Sequence, residues 1–343
     1  MDPIEHSNPA KQRTAVVTWT IVVVTVVAWL AQELAGGSKD PEILIRFGAK
    51  YGPLIADGEW WRLITPVFLH VGFFHLVTNS VGLIVFGSLV ERSFGRRSYL
   101  VIYLAAGIFG NLASYWAAPT LGAGASGSVF GLVGAFGSYL LVNRSVLGDL
   151  GRQSFRAVLL VVGINVVFGF TAGGIDNWAH LGGLISGFGL GWWLSPRTAM
   201  VQTPDIGFKY YSNATLVLQR ATTLQTTLAI GVSGLLITLA TLSIGKDYPH
   251  INQTGSSGLL ASIEDLLSDG DYDEARRRIL GAIMVNPAGD EIPLLYLVRG
   301  LVMSADGNRI AAINNTCHAL SLGLPKDAQR FALSLLTELR GSC

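Results

Sequence analysis

The chain has 343 residues, of which half are hydrophobic and only 14% are charged, and its formal net charge is +1. Soluble domains carry about 25% charged residues, so this deficit indicates a membrane protein. Because no run of Lys and Arg exceeds three residues, the sequence excludes a basic nucleic-acid-binding class and predicts no nucleic-acid partner.

Seven apolar stretches long enough to cross a bilayer follow one another along the chain. They lie at about 15–34, 75–92, 98–117, 126–143, 155–172, 178–194 and 223–244. The first stretch exceeds the apolar core of a signal peptide, so we interpret it as a transmembrane helix. Glycine is abundant in these stretches, where small residues let helices approach closely. The expected fold class is therefore all-α, a polytopic membrane helical bundle.

Basic residues are distributed unequally among the predicted loops. Lys and Arg precede the first span and occur between spans 2 and 3, 4 and 5, and 6 and 7. Of the alternate loops, 118–125 and 173–177 contain none, and the long first loop holds Lys39, Arg46, Lys50 and Arg62. Under the positive-inside rule the basic loops face the cytoplasm. This pattern predicts a multi-pass protein with its N-terminus inside and its C-terminal segment outside, and the location that we expect is a bacterial plasma membrane.

The long first loop, about 35–74, carries five aromatic residues that suit a membrane interface. They are Trp60, Trp61, Phe68, Phe73 and Phe74. We expect this loop to be structured and partly embedded in lipid.

A glycine-flanked serine begins the fourth span, in Gly124-Ala-Ser126-Gly127, and Gly131 follows one turn later. The unpaired N–H groups at a helix N-terminus can bind a developing oxyanion. Taken alone, however, the motif is weak evidence, and close helix packing explains it better.

The sixth span begins with His180 and continues with Gly183, Gly187 and Gly191 at four-residue steps. An ionisable residue inside a spanning helix is a functional hypothesis by default, and a hydrogen-bonded structural histidine is the alternative. Spans 4 and 6 both begin at the outer face. If their glycine faces meet, the imidazole reaches the Ser126 hydroxyl and forms the pair needed for covalent acyl transfer.

His75 and Asn79 share one face near the start of the second span, where both side chains are suitable donors to an oxyanion. A zinc site is disfavoured because there is no H-E-x-x-H motif, no nearby cysteine and no acidic third ligand in the same layer. The sequence therefore predicts no metal and no cofactor. Asp176, four residues before His180, is expected to be a solvated carboxylate or a helix cap and not a third catalytic residue.

Together these motifs resemble the rhomboid family of intramembrane proteases. The resemblance rests on Trp61-Arg62, His75-x-x-x-Asn79, Gly124-x-Ser126-Gly127 and Ala179-His180-x-x-Gly183, which occur in the family's order over about 15–196. It implies a six-helix core in which Ser126 is the nucleophile and His180 the base. It also implies that His75, Asn79 and the backbone N–H of Ser126 form an oxyanion hole.

The resemblance implies further supporting roles. Trp61 and Arg62 would stabilise the first loop, and Glu91 would make structural hydrogen bonds. Phe130 would stack near His180 where the family often has tyrosine, without that residue's hydroxyl. The implied substrates are single-span transmembrane proteins in a lipid bilayer, cleaved near the outer face.

Two other functions stay open from the sequence. One is a catalytically inactive rhomboid-like protein that binds membrane proteins or serves quality control. The other is a channel or transporter, which is disfavoured because the chain has no matching halves.

The C-terminal part contains two similar segments. Residues 270–275 are followed by Ala282 and Pro287, and residues 307–312 by Ala319 and Pro325. This pattern looks like a tetratricopeptide-type pair of helical hairpins, and an ordinary small helical bundle is nearly as good an interpretation. A protein partner of this segment is a further expectation. Cys317 and Cys343 are interpreted as unrelated thiols, with a disulfide open if they face an oxidising compartment.

The expected domain organisation has five parts. These are an N-terminal cytoplasmic tail at 1–14, a protease core at 15–196, a cytoplasmic linker at 197–222, a seventh transmembrane helix at 223–244 and a helical domain at 258–343.

Overall fold

The computed structural model describes residues 14–56, 58–117, 121–171, 175–202, 214–244, 256–285 and 292–343. It is the all-α membrane bundle that the hydropathy pattern predicts. The long helices are α1 (Val16–Leu34), α4 (Gly72–Phe94), α5 (Arg96–Ala117), α6 (Ser126–Val142), α7 (Arg144–Thr171), α8 (Asn177–Leu194) and α9 (Thr223–Ile244), with the short α2 (Pro41–Arg46) and α3 (Gly52–Ala56) in the first loop.

Length and composition alone qualify five described helices to cross a membrane: α1, α4, α5, and most of α7 and α9. The other two predicted spans, α6 and α8, have 17 and 18 residues. At about 1.5 Å per residue they are roughly 26–27 Å long, slightly less than the hydrocarbon core of a typical bilayer. These two helices carry Ser126 and His180.

The first loop is structured, as the sequence predicts. Besides α2 and α3 it contains two 3-10 turns, Trp60–Leu63 and Thr65–Phe68. Lys50 in this loop forms an antiparallel bridge with Gly122, in which each backbone N–H donates to the other residue's carbonyl at 2.8 and 2.9 Å. The loop is thereby tied to the segment that leads into α6.

The prediction of a loop between spans 4 and 5 is wrong, because most of that segment is helical. Helix α7 begins at Arg144, eleven residues before the predicted start of the span at 155. The helical path is interrupted at Gly148, whose φ of 53° is a left-handed value that glycine adopts without a Cβ clash. A single helical turn at 144–147 therefore precedes the helix that crosses the membrane.

The segment predicted as a linker, 197–222, contains an unpredicted β-hairpin. Strand β1 (Arg197–Gln202) pairs antiparallel with β2 (Ala214–Gln219), and Arg197 lies opposite Gln219. The side chain of Asn143, at the end of α6, binds the start of this hairpin. Its Oδ1 accepts from the Thr198 N–H at 2.7 Å, and its Nδ2 donates to the Pro196 carbonyl at 2.9 Å.

The C-terminal domain consists of helices in hairpins, as the repeat predicts. Its helices are α10 (Ser256–Ser268), α11 (Tyr272–Val285), α12 (Ile292–Ala305), α13 (Arg309–Ser321) and α14 (Lys326–Glu338). Gly270 turns the chain between α10 and α11, and Gly307 does the same between α12 and α13, both with left-handed φ. The interpretation of Cys317 and Cys343 as unrelated thiols is wrong, because they form a disulfide.

The C-terminal domain packs on the first loop of the membrane bundle. Tyr51 lies over Gly281 of α11, and its hydroxyl donates to the Arg277 carbonyl at 2.8 Å. Ile45 and Leu54 complete an apolar cluster with Leu280. The domain thus contacts the loop at the residue next to Lys50.

Candidate active site

Helices α6 and α8 are packed backbone to backbone. A Cβ placed on Gly183 would collide with the backbone of Gly127, and one on Gly187 would collide with Gly131. Gly191 has the same relation to Ala135. Because the contacts advance in the same direction on both helices, α6 and α8 are parallel and their N-termini lie side by side. This is the meeting of glycine faces that the sequence predicts.

The aromatic ring of Phe130 joins the two helices beside the candidate nucleophile. It stacks on the imidazole of His180 with ring centroids 4.3 Å apart and an angle of 15° between the planes. Ser126 lies one turn before Phe130 on the same face of α6 and is half-buried, as is His180. Ser126, the first residue of α6, therefore lies on the face of α6 that is turned toward His180 of α8.

The imidazole of His75, near the start of α4, lies against Gly124. A Cβ on Gly124 would come within 2.6 Å of His75 Cε1, and the φ of +152° also favours glycine. Glycine is required here because the chain leading to Ser126 passes directly over the histidine ring.

Asn79 lies one turn after His75 and is buried. Its Nδ2 donates to the His75 carbonyl at 3.0 Å, which fixes the carboxamide on the helix face that it shares with His75. A carboxamide nitrogen has two N–H bonds, so one donor remains for another acceptor.

His70 is a site residue that the sequence analysis missed. It is fully buried, its ring centroid lies 5.3 Å from that of His75, and its Nε2 accepts from the Ala125 N–H at 3.4 Å. Burial, followed by the nearby His75, lowers the pKa of His70 to about 3, so the ring stays neutral and can accept this bond. The available signal was a second histidine five residues before His75.

Asp176 is a helix cap, one of the two roles expected for it. Its Oδ1 accepts from the Ala179 N–H at 3.0 Å at the start of α8. Its other oxygen, Oδ2, accepts from Ser114 Oγ and lies 3.4 Å from Lys50 Nζ. The sequence did not single out Lys50 or Ser114.

The first loop is held together by Arg62, whose guanidinium is buried. It donates to the carbonyls of Ile45 at 2.6 Å and Ala49 at 3.2 Å, and it pairs with Glu59 at 2.5 Å. The Trp61 ring is partly exposed and packs edge-on against Trp60.

Glu91 lies far from this site, near the other end of α4. Its buried carboxylate accepts from the N–H groups of Val17 at 3.0 Å and Thr18 at 2.7 Å, and from the Thr18 hydroxyl at 2.8 Å. Glu91 thereby joins the start of α1 to α4.

The residues described by the structure include no cluster of three or more His, Cys, Asp or Glu side chains that could hold a metal ion. The described site instead combines a hydroxyl at a helix N-terminus, an imidazole on the neighbouring helix and nearby N–H donors. Such a combination can carry out acyl transfer through a covalent intermediate.

Comparisons with known proteins point to one family. The Rhomboid domain matches residues 57–197. The chain is 44% identical over 172 residues to Rhomboid protease GluP of Bacillus subtilis, which covers 50% of this chain and 33% of that protein. It is 38% identical over 136 residues to Putative rhomboid protease YdcA of the same species, covering 39% of this chain and 67% of that protein. It is 31% identical over 207 residues to Rhomboid-like protease 2 of Toxoplasma gondii, covering 59% and 70%.

Proposed function

Since this chain belongs to the rhomboid family, we propose that it is an intramembrane serine endopeptidase with a Ser126–His180 dyad. The observation that carries the proposal is the stacking of Phe130 on His180 across two parallel, glycine-packed helices. This arrangement supports a serine hydroxyl within reach of a histidine base.

In the proposed mechanism, the Ser126 hydroxyl attacks the scissile carbonyl while His180 takes its proton. The tetrahedral oxyanion accepts hydrogen bonds from the Ser126 N–H, His75 and Asn79. His180 then donates the proton to the leaving amine. Water hydrolyses the acyl-enzyme with His180 again as base. Asp176 has no chemical step because its carboxylate is engaged with Ala179, Ser114 and Lys50.

The proposed substrates are single-span transmembrane proteins cleaved near the outer face. Supporting this, the serine and histidine lie in the first turns of helices that the loop charges orient with their N-termini outward. The proposed location is a bacterial plasma membrane with the N-terminus in the cytoplasm. The Cys317–Cys343 disulfide agrees with a C-terminal domain in an oxidising compartment.

We also propose that the C-terminal helical domain contacts the outer part of a substrate or a protein partner. The support is its packing on the first loop through Tyr51 and Leu280, beside the chain that leads to the site. The domain boundaries expected from the sequence belong to the same proposal.

The dyad is tested with a fluorophosphonate probe on the full chain in detergent. We expect covalent labelling at Ser126, and a loss of at least about 1000-fold in labelling rate in Ser126→Ala and His180→Ala. Ser138→Ala, which removes a serine hydroxyl three turns further along α6, is the matched control and should be labelled like the wild type.

Two results would contradict the proposal. Labelling that survives His180→Ala would exclude the dyad. A wild type that is folded but is neither labelled nor able to process membrane proteins would favour the catalytically inactive alternative. Comparing the membrane proteomes of cells carrying wild type and Ser126→Ala tests activity and identifies substrates together.

A further inference from the structure

Lys50 is a buried cation in the first loop, with a side chain that is only 1% exposed. Its Nζ donates to Ser114 Oγ, and Ser114 in turn donates to Asp176 Oδ2. Building on the proposed dyad, we infer that Lys50 is a positioning residue that acts through Asp176 to fix the place of the catalytic histidine.

The path from Lys50 to His180 is short. Asp176 caps α8 with Oδ1, and its backbone carbonyl accepts from the His180 N–H at 3.1 Å. Because the two carboxylate oxygens have separate partners, the contact with Lys50 and Ser114 sets the orientation of the carboxylate that caps the helix. The ends of a helix fray more readily than its middle, and His180 lies in the first turn of α8. The cap therefore determines the direction of its Cα–Cβ bond.

The backbone of Lys50 acts on the other half of the dyad. Its two hydrogen bonds with Gly122 hold the segment four residues before Ser126. A Cβ on Gly122 would lie 2.9 Å from Lys50 Cε, so a larger residue would have to displace the lysine side chain. One residue thus touches both the entry to the serine helix and the cap of the histidine helix.

The electrostatics require the two charges to remain together. Burial lowers the pKa of Lys50, and the nearby Asp176 carboxylate opposes that change. The Lys50 side chain is 1% exposed and that of Asp176 is 22% exposed, so removing the carboxylate leaves an uncompensated buried charge, whereas removing both charges is far better tolerated. This asymmetry supplies the test.

The experiment compares Lys50→Met, which keeps the length and removes the charge, with Lys39→Met at an exposed lysine of the same loop. The second-order rate of fluorophosphonate labelling at Ser126 is measured together with the unfolding midpoint of each variant in detergent. Well below that midpoint we expect Lys50→Met to label about 10- to 100-fold more slowly, because small misplacements of a catalytic group cost that much. Lys39→Met should label within about twofold of the wild type.

Asp176→Asn separates charge from capping, since asparagine can still accept from the Ala179 N–H. Alone it leaves the Lys50 ammonium without its carboxylate and should label slowly. The Lys50→Met/Asp176→Asn double variant should label faster than Asp176→Asn. If Lys50→Met does not fold, this pair carries the test.

Each outcome decides between separate claims. If Ser126→Ala is labelled as fast as the wild type, the proposed function itself is overturned. Labelling that depends on Ser126 but proceeds at the wild-type rate in Lys50→Met overturns only the positioning role. A slower rate that is fully explained by a smaller folded fraction also overturns it, because Lys50 would then serve stability alone.

Discussion

The replacement Gly187→Ala tests the backbone contact that aligns α6 with α8. The new Cβ would meet the carbonyl oxygen, Cα and carbonyl carbon of Gly131 inside van der Waals distance. The atoms in the way belong to the backbone, so no side chain can rotate aside. The helices must therefore separate by on the order of 1 Å, at which much of the dispersion energy of the contact is lost.

The expected cost is about 2–3 kcal/mol of unfolding free energy, the upper part of the range for overpacked cores. Alanine itself favours the helix over glycine by up to about 1 kcal/mol, which partly offsets the collision. Gly189→Ala, two residues along the same helix, is the matched control because nothing lies within 4 Å of its Cβ position. We expect that variant to be as stable as the wild type or slightly more stable.

Unfolding in detergent, followed by the fluorescence of the eight tryptophans, measures both effects. The labelling rate at Ser126 is a second readout. Gly187 lies seven residues, about 10 Å along the helix axis, from His180, so slower labelling would report altered alignment of the helices. Equal stability of the two alanine variants would refute the backbone contact.

Three further predictions follow from other parts of the structure. Glu91→Gln should lower the free energy of unfolding by about 1–3 kcal/mol, because the N–H groups of Val17 and Thr18 and the Thr18 hydroxyl would no longer donate to a charged carboxylate. Glu264→Gln, at an exposed glutamate, is the control in the same unfolding assay. Cys317→Ser should lower the free energy of unfolding of the C-terminal domain by about 3 kcal/mol. The variant should also react with maleimide at the free thiol of Cys343, whereas the wild type should react only after reduction. Reaction of the wild type without reductant would contradict the disulfide. Acid should destabilise the folded state through His70, because the pKa of this histidine is about 3 in the folded state and near 6.5 in the unfolded state. As the pH falls, the unfolded state therefore binds a proton first. The free energy of unfolding should drop by about 2 kcal/mol between neutral pH and pH 5. His70→Gln should have a shallower pH dependence over that window, and an unchanged slope would contradict this assignment.

The sequence predicts the spanning helices well because hydropathy is a local sum over about 20 residues. It also predicts that the Ser126 and His180 helices are parallel, because loop charges report which end of each span faces the cytoplasm. The glycine steps at 183, 187 and 191 then indicate the contact face, and the structure contains that contact.

Long-range polar pairs are what the sequence does not predict. Lys50 and Asp176 are 126 residues apart, and a lysine in a loop has no local feature that distinguishes a buried, paired cation from a solvated one. The same holds for the packing of Tyr51 on Arg277 and for the bond between His70 and Ala125. Each depends on how separate segments fold against one another, so periodicity and spacing carry no signal for it.

The glycine contact between α6 and α8 has a consequence for how the protein can change over generations. Any single-base change in a glycine codon that alters the residue adds at least a Cβ. At Gly183 and Gly187 even that smallest addition meets backbone. Most core positions can drift through residues of similar size, with neighbours adjusting in turn. Here even a substitution by alanine places an atom against the neighbouring backbone, so these two positions cannot change through a series of small substitutions. The lipid-facing positions of the same helices do not have this constraint.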